Sequence, residues 1–110
     1  MDFVEVLDIK KLPPGSHTVV SIKGKEVVLF NIDGEISAMG NICLHKGGPL
    51  SEGKVEKKCD GYYVTCPWHG WEYNVKTGAA APGFYDQQSL YDTVVKDDKI
   101  SFHRYQEFYL

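Results

Sequence analysis

The sequence predicts an all-β domain carrying a loop-rich, site-bearing insertion at about residues 41–83. Three observations lead there. Short β-branched segments are cut by turn-forming residues, and no helical period is sustained over three turns. Between two hairpin regions the texture also changes, becoming dense in Gly, Pro, Cys, His and aromatic residues.

The elements follow in order. Phe3-Val4-Glu5-Val6-Leu7 is apolar-rich, and Leu12-Pro13-Pro14-Gly15-Ser16 breaks it. Thr18-Val19-Val20-Ser21-Ile22 is β-branched, and Lys23-Gly24-Lys25 turns it into Val27-Val28-Leu29-Phe30-Asn31-Ile32. Asp33-Gly34 suits the positive φ of a type I′ turn, so Glu35-Ile36-Ser37-Ala38-Met39 returns along the previous strand. Within the insertion, Lys54-Val55-Glu56 and Tyr62-Tyr63-Val64-Thr65 flank a turn around Lys57-Lys58-Cys59-Asp60-Gly61. Tyr91-Asp92-Thr93-Val94-Val95 and Lys99-Ile100-Ser101-Phe102-His103 form a last hairpin around Lys96-Asp97-Asp98. Helical periodicity is conceivable only from Tyr105 to Leu110.

Composition bounds the function. At 110 residues the chain is one domain, residues 1–110, long enough to build a core without staples. The run Val27–Phe30 is far shorter than the roughly 20 apolar residues of a membrane helix. The acidic start Met1-Asp2-Phe3-Val4-Glu5 lacks a secretory n-region, so the expectation is a cytoplasmic protein without a membrane role. A net charge of −3 with one arginine, Arg104, does not describe a nucleic-acid binder. Three cysteines make a poor disulfide framework and read sooner as metal ligands.

Cys43-Leu44-His45 and Cys66-Pro67-Trp68-His69 set one thiolate and one imidazole in each of two loops, 20 residues apart. The intervening chain can return as a hairpin and bring the second pair opposite the first. A structural zinc site also uses two cysteines and two histidines, but a Cys-x-His pair is unusual there. Together with Gly47-Gly48-Pro49-Leu50, Gly70-Trp71 and Ala81-Pro82-Gly83, the pattern resembles a Rieske-type [2Fe–2S] protein over most of the chain.

That resemblance implies an antiparallel β-sandwich or barrel base with a cluster-binding subdomain. It implies one cluster per chain, with Cys43 and Cys66 on one iron and His45 and His69 on the other. Neutral imidazoles remove two negative charges, which places such centres at roughly −150 to +300 mV, against about −400 mV for four-cysteine ferredoxins. High-potential members brace the two loops with a disulfide; here the corresponding positions hold Gly47 and Trp68. Their serine donor is replaced by Trp71, whereas their tyrosine donor is matched by Tyr73, so a low to middle potential is expected. The loop between the pairs is a few residues longer than is common in the family, and Cys59, in that extra length, reads as a surface thiol in a turn.

The remaining residues read more plainly. His17 and His103 fall at strand ends as solvated or capping groups. Tyr62, Tyr63, Trp71, Phe84 and Tyr85 read as packing. Trp68, lying between two ligands, either shields the cluster or contacts a partner. Lys46, Lys54, Lys57 and Lys58 read as a solvated face able to steer an acidic partner. The aromatic end (Phe102, Tyr105, Phe108, Tyr109, Leu110) folds back on the sheet or makes an oligomer contact, a monomer being expected.

Once His45 and His69 are spent, only His17 and His103 remain, far apart in the sequence and without the His-rich helix that the mononuclear iron of an oxygenase needs, and no Rossmann glycine fingerprint is present. The resemblance therefore implies an electron carrier, not an enzyme: a ferredoxin taking an electron from a flavin reductase to an oxygenase or similar acceptor. The alternative is the Rieske small subunit of a larger oxidoreductase, such as a NAD(P)H nitrite reductase. A zinc-stabilised interaction module stands third.

Overall fold

A computed structural model describes residues 3–43, 47–58, 60–68, 70–81 and 87–103. The described residues form ten strands: β1 (Phe3–Asp8), β2 (His17–Ile22), β3 (Lys25–Ile32), β4 (Glu35–Gly40), β5 (Lys54–Lys58), β6 (Gly61–Thr65), β7 (Glu72–Asn74), β8 (Leu90–Tyr91), β9 (Thr93–Lys96) and β10 (Lys99–His103). Two single 3-10 turns, Ile9–Lys11 and Leu50–Glu52, are the only helical pieces among these residues. The strands make three antiparallel sheets, ordered β1-β10-β9, β2-β3-β4-β8 and β5-β6-β7. The all-β expectation holds.

Three hairpins close through two-residue loops in which both central residues take positive φ: Lys23-Gly24 (49° and 83°), Asp33-Gly34 (55° and 92°) and Asp97-Asp98 (53° and 63°). Such loops match the right-handed twist of the strands they join. The last contains no glycine, and aspartate is among the few residues that tolerate this region.

β3 supplies the interior. Its side chains alternate between faces, and from Val27 to Phe30 every one is fully buried. Val27 and Leu29 pack with Leu12, Ala38, Ile100 and Phe102, a core closed by the β1-β10-β9 sheet. Val28 and Phe30 point the other way and pack with Met39, Leu50, Val64, Tyr73, Cys43 and Cys66. One strand therefore forms a wall of two cores, which explains its continuous apolar run where a half-exposed strand would alternate.

The structure differs from expectation in particular places. Residues 41–83 are not only loops, since they hold the β5-β6-β7 ladder, whose third strand is just Glu72–Asn74. The expected 91–95 strand is instead β8 and β9, separated at Asp92. His17 and His103 stand at strand ends as expected, opening β2 and closing β10, but not fully in solvent. Each is half-buried, with ring centroids 5.7 Å from Phe30 and 4.7 Å from Phe3 respectively. Phe102 belongs to β10 and the core, while the rest of the aromatic end, with Phe84 and Tyr85, lies outside the described residues. No helix among the described residues is long and apolar enough to cross a membrane.

β1 and β10 pair from Phe3↔His103 to Asp8↔Lys99, with one irregularity between Glu5 and Leu7. At the end of that ladder Lys99 Nζ donates to Asp8 Oδ2 at 2.8 Å. This bond, then the Lys10 backbone N–H, holds the Asp8 carboxyl below its ordinary 3.8, and Asp8 holds Lys99 above its ordinary 10.5. Asp8's stabilisation is thus full above its ordinary value and lost as pH falls through its lowered folded value. Lys99's is full below its ordinary value and lost as pH climbs through its raised one. Lys99→Met should lower the urea midpoint modestly at neutral pH, with the deficit shrinking in strong acid and in high salt. A deficit independent of pH would show that the ion pair contributes nothing and that the substitution acts through packing.

Candidate metal centre

β4 leads into the first loop through a clamped stem. The buried Asn41 donates from Nδ2 to Glu26 Oε1 at 3.0 Å, and its Oδ1 accepts from the Ser51 N–H at 2.6 Å. Its backbone N–H donates to the Glu26 carbonyl, and its own carbonyl accepts from the Leu50 N–H. The buried Gln88 donates from Nε2 to the Ile42 carbonyl at 3.0 Å. A buried amide left unpaired would cost about 1–3 kcal/mol, so these side chains hold the chain where it enters Cys43.

The two cysteine loops share one backbone pattern. In the first, Gly47 N–H donates to the Cys43 carbonyl (2.8 Å) and Cys43 N–H to the Gly48 carbonyl (2.8 Å). In the second, Gly70 N–H donates to the Cys66 carbonyl (3.1 Å) and Cys66 N–H to the Trp71 carbonyl (2.7 Å). Each loop is closed by its cysteine and by a glycine four residues on, and those glycines take φ of 77° and 83°. A side chain there would be strained, which accounts for the glycine after each Cys–His pair.

Both thiols face the interior. Cys43 and Cys66 are 2% and 1% exposed and lie in one core with Val28, Phe30, Val64 and Tyr73. The Tyr73 hydroxyl is 3.8 Å from Cys43 Sγ, a distance open to a hydrogen bond to sulfur. Tyr73 reaches it from β7, paired opposite Val64 and bridged on its other side to Ala80. His45 and His69 lie outside the described residues, as do Cys59 and Lys46. Among the described residues no group of three or more metal-ligating side chains gathers, and of the four expected ligands the structure describes Cys43 and Cys66.

Around that pair, Tyr62 and Trp71 pack on the core and Tyr63 is buried within the insertion, as expected of packing aromatics. The lysine face is offset by carboxylates: Lys54 lies 3.7 Å from Glu56 and Lys58 lies 3.5 Å from Glu72. Sequence reasoning passed over Asn41, Gln88 and Gly48 as functional positions. Only the Gly-Gly dipeptide at 47–48 carried a signal for any of them.

Two buried soft donors, at equivalent positions of two matched loops and beside a tyrosine hydroxyl, suit a thiolate-held iron centre. A fold of stacked antiparallel sheets with such a two-loop tip defines a class of small metal-centre proteins. The family model described as the Rieske [2Fe-2S] domain matches residues 2–89, and the chain belongs to that family. The ferredoxin component of a naphthalene 1,2-dioxygenase system from Pseudomonas aeruginosa is 32% identical over 78 residues, covering 71% of each chain. The ferredoxin of carbazole 1,9a-dioxygenase from Nocardioides aromaticivorans IC177 superposes with a TM-score of 0.81 at 27% identity, covering 94% of this chain and 98% of that one. A chain described as an NADH-dependent nitrite reductase small subunit from Mycobacterium tuberculosis gives a TM-score of 0.82 at 23% identity over 93% and 94% of the two chains, a likeness of fold alone. The cofactor of the family is the Rieske-type [2Fe–2S] cluster, and the zinc reading falls away.

Tyr73→Phe should lower the reduction potential by roughly 40 mV, the one-electron equivalent of about 1 kcal/mol for one hydrogen bond. Protein-film voltammetry of the loaded protein measures it. An unchanged potential would mean that Tyr73 only fills space.

Proposed function

We propose that the chain is a one-electron carrier, a Rieske ferredoxin that accepts an electron from a flavin-dependent reductase and delivers it to a terminal oxygenase. The observation that carries this reading is the pair of matched loops, each presenting one buried thiol at the same backbone position. In this reading the whole chain serves as one domain. Cys43 and Cys66 hold one iron through Sγ, and His45 and His69 hold the other. When bound, the cluster supplies one reversible electron at a potential tuned by its surroundings.

The chain's own residues supply the rest. The core around Val28 and Phe30 keeps water from the thiolates, and Tyr73 donates to Cys43 Sγ, which moderates the negative charge that a reduced centre must carry. The loop between Cys66 and Gly70 brings Trp68 to the surface, 63% exposed, two residues from the buried Cys66. A carrier needs a centre near its surface and a face for docking, and this tip combines them. The acceptor class is supported by the ferredoxin relative, a component of a dioxygenase system that matches over 71% of each chain, and the donor class follows from the resemblance alone. The chain is then a component of a multicomponent oxidoreductase and not itself the catalyst.

Purification without added metal should give a red-brown protein with two iron and two sulfide per chain and a rhombic EPR signal of low average g when reduced. A flavin reductase of an aromatic-ring dioxygenase system should then reduce it within milliseconds to seconds in stopped flow. A colourless, zinc-bearing protein would sink the proposal. His45→Cys or His69→Cys, adding one thiolate charge, should lower the potential on the order of 100 mV. A potential unchanged or raised in a variant that keeps its cluster would remove that histidine from the ligand set.

A further inference from the structure

Two adjacent glycines in the first loop serve different purposes. Gly47 has the positive φ that closes the loop, whereas Gly48 does not. The reason for glycine at 48 is space. A methyl group there would stand 2.9 Å from Cys66 Sγ, 2.9 Å from Trp68 Cγ and 3.0 Å from Trp68 Cδ2. Real methyl groups do not approach sulfur or ring carbon so closely. Gly48 is itself buried, although Trp68 keeps most of its surface in solvent. One edge of the indole is therefore seated against the bare backbone of the opposite loop, beside the Cys66 thiol.

We propose that Trp68 is a positioning residue, whose ring, seated on Gly48, locks the second loop against the first and fixes Cys66 Sγ for the cluster. This rests on the reading that Cys66 is a cluster ligand. The contact joins the two loops without a covalent bond. A flat aromatic is well suited to this, since it carries a large contact area with only two torsions to immobilise. The remaining face of the ring stays available to solvent.

The test uses the full-length protein carrying its cluster. Release of iron to a ferrous chelator under dithionite reads how firmly the loops hold it, and reduced-state EPR reads ligand geometry. Trp68→Ala should load its cluster but lose iron roughly three- to tenfold faster than wild type, with a broadened EPR signal. Trp68→Phe, which keeps a ring over Gly48, should recover most of the wild-type rate. Gly48→Ala should also speed release, and its effect should shrink in the Trp68→Ala background, because part of the clash leaves with the indole. Val95→Ala, an exposed apolar residue of β9, is expected to match wild type.

Wild-type release and an unchanged EPR signal in Trp68→Ala would overturn the lock while leaving the cluster in place. Strict additivity of the Gly48 and Trp68 substitutions would overturn it equally. If wild type itself held no iron and sulfide, the ligand reading beneath the proposal would fail, and that failure is visible before any variant is made.

Discussion

The structure depends on β3 having two buried faces. A strand in a small sheet ordinarily shows one face to water, yet here Val27 and Leu29 enter the base core while Val28 and Phe30 enter the core that contains both thiols. The insertion is thus not an appendage on a finished domain. Its floor is the back of a strand that the base needs for its own stability, and a polar side chain at any of these four positions would damage both halves. Cys43 and Cys66 consequently inherit the rigidity of a packed interior, which a loop by itself would not give them.

On that floor the two loops solve the same backbone problem twice. Each must turn sharply, keep its cysteine inward and leave no buried amide unpaired. The shared answer is a glycine N–H returned to the cysteine carbonyl, with the cysteine N–H sent to a carbonyl five residues on. The histidines do not obey the repeat: His45 stands two residues after its cysteine and His69 three. The backbone symmetry therefore belongs to the cysteines, and the histidine spacing in the sequence does not share it. Trp68 occupies the extra position in the second loop, the one that lies across Gly48.

What could be read from the sequence follows from how local each cause is. Asp33-Gly34 was legible because its turn demands positive φ, and the family because its motif sets particular residue types at short spacing. The pairing of Phe3 with His103 was not legible, since it is set by what closes over Leu12 and Phe102 and not by any nearby residue. β7 escaped notice because three residues cannot establish a period, and Tyr73 reaches Cys43 only through that strand's register with β6. Gly47 and Gly48 look alike in the sequence. Their distinction, one for torsion and one for clearance, exists only once the opposite loop is in place.

A carrier also has to reconcile two opposed demands. Shielding of the thiolates tunes the potential and protects the centre, whereas an electron leaves only where a partner can come close. The fold divides the work by position along one short loop: Cys66 is sealed in the core, and two residues later Trp68 is largely in solvent. The change from inside to outside takes place across Pro67, whose fixed φ leaves the backbone little freedom. Burial and access are therefore set within a single turn of chain, and the stiffness of that turn decides whether a docking partner meets a centre held in one geometry or in several.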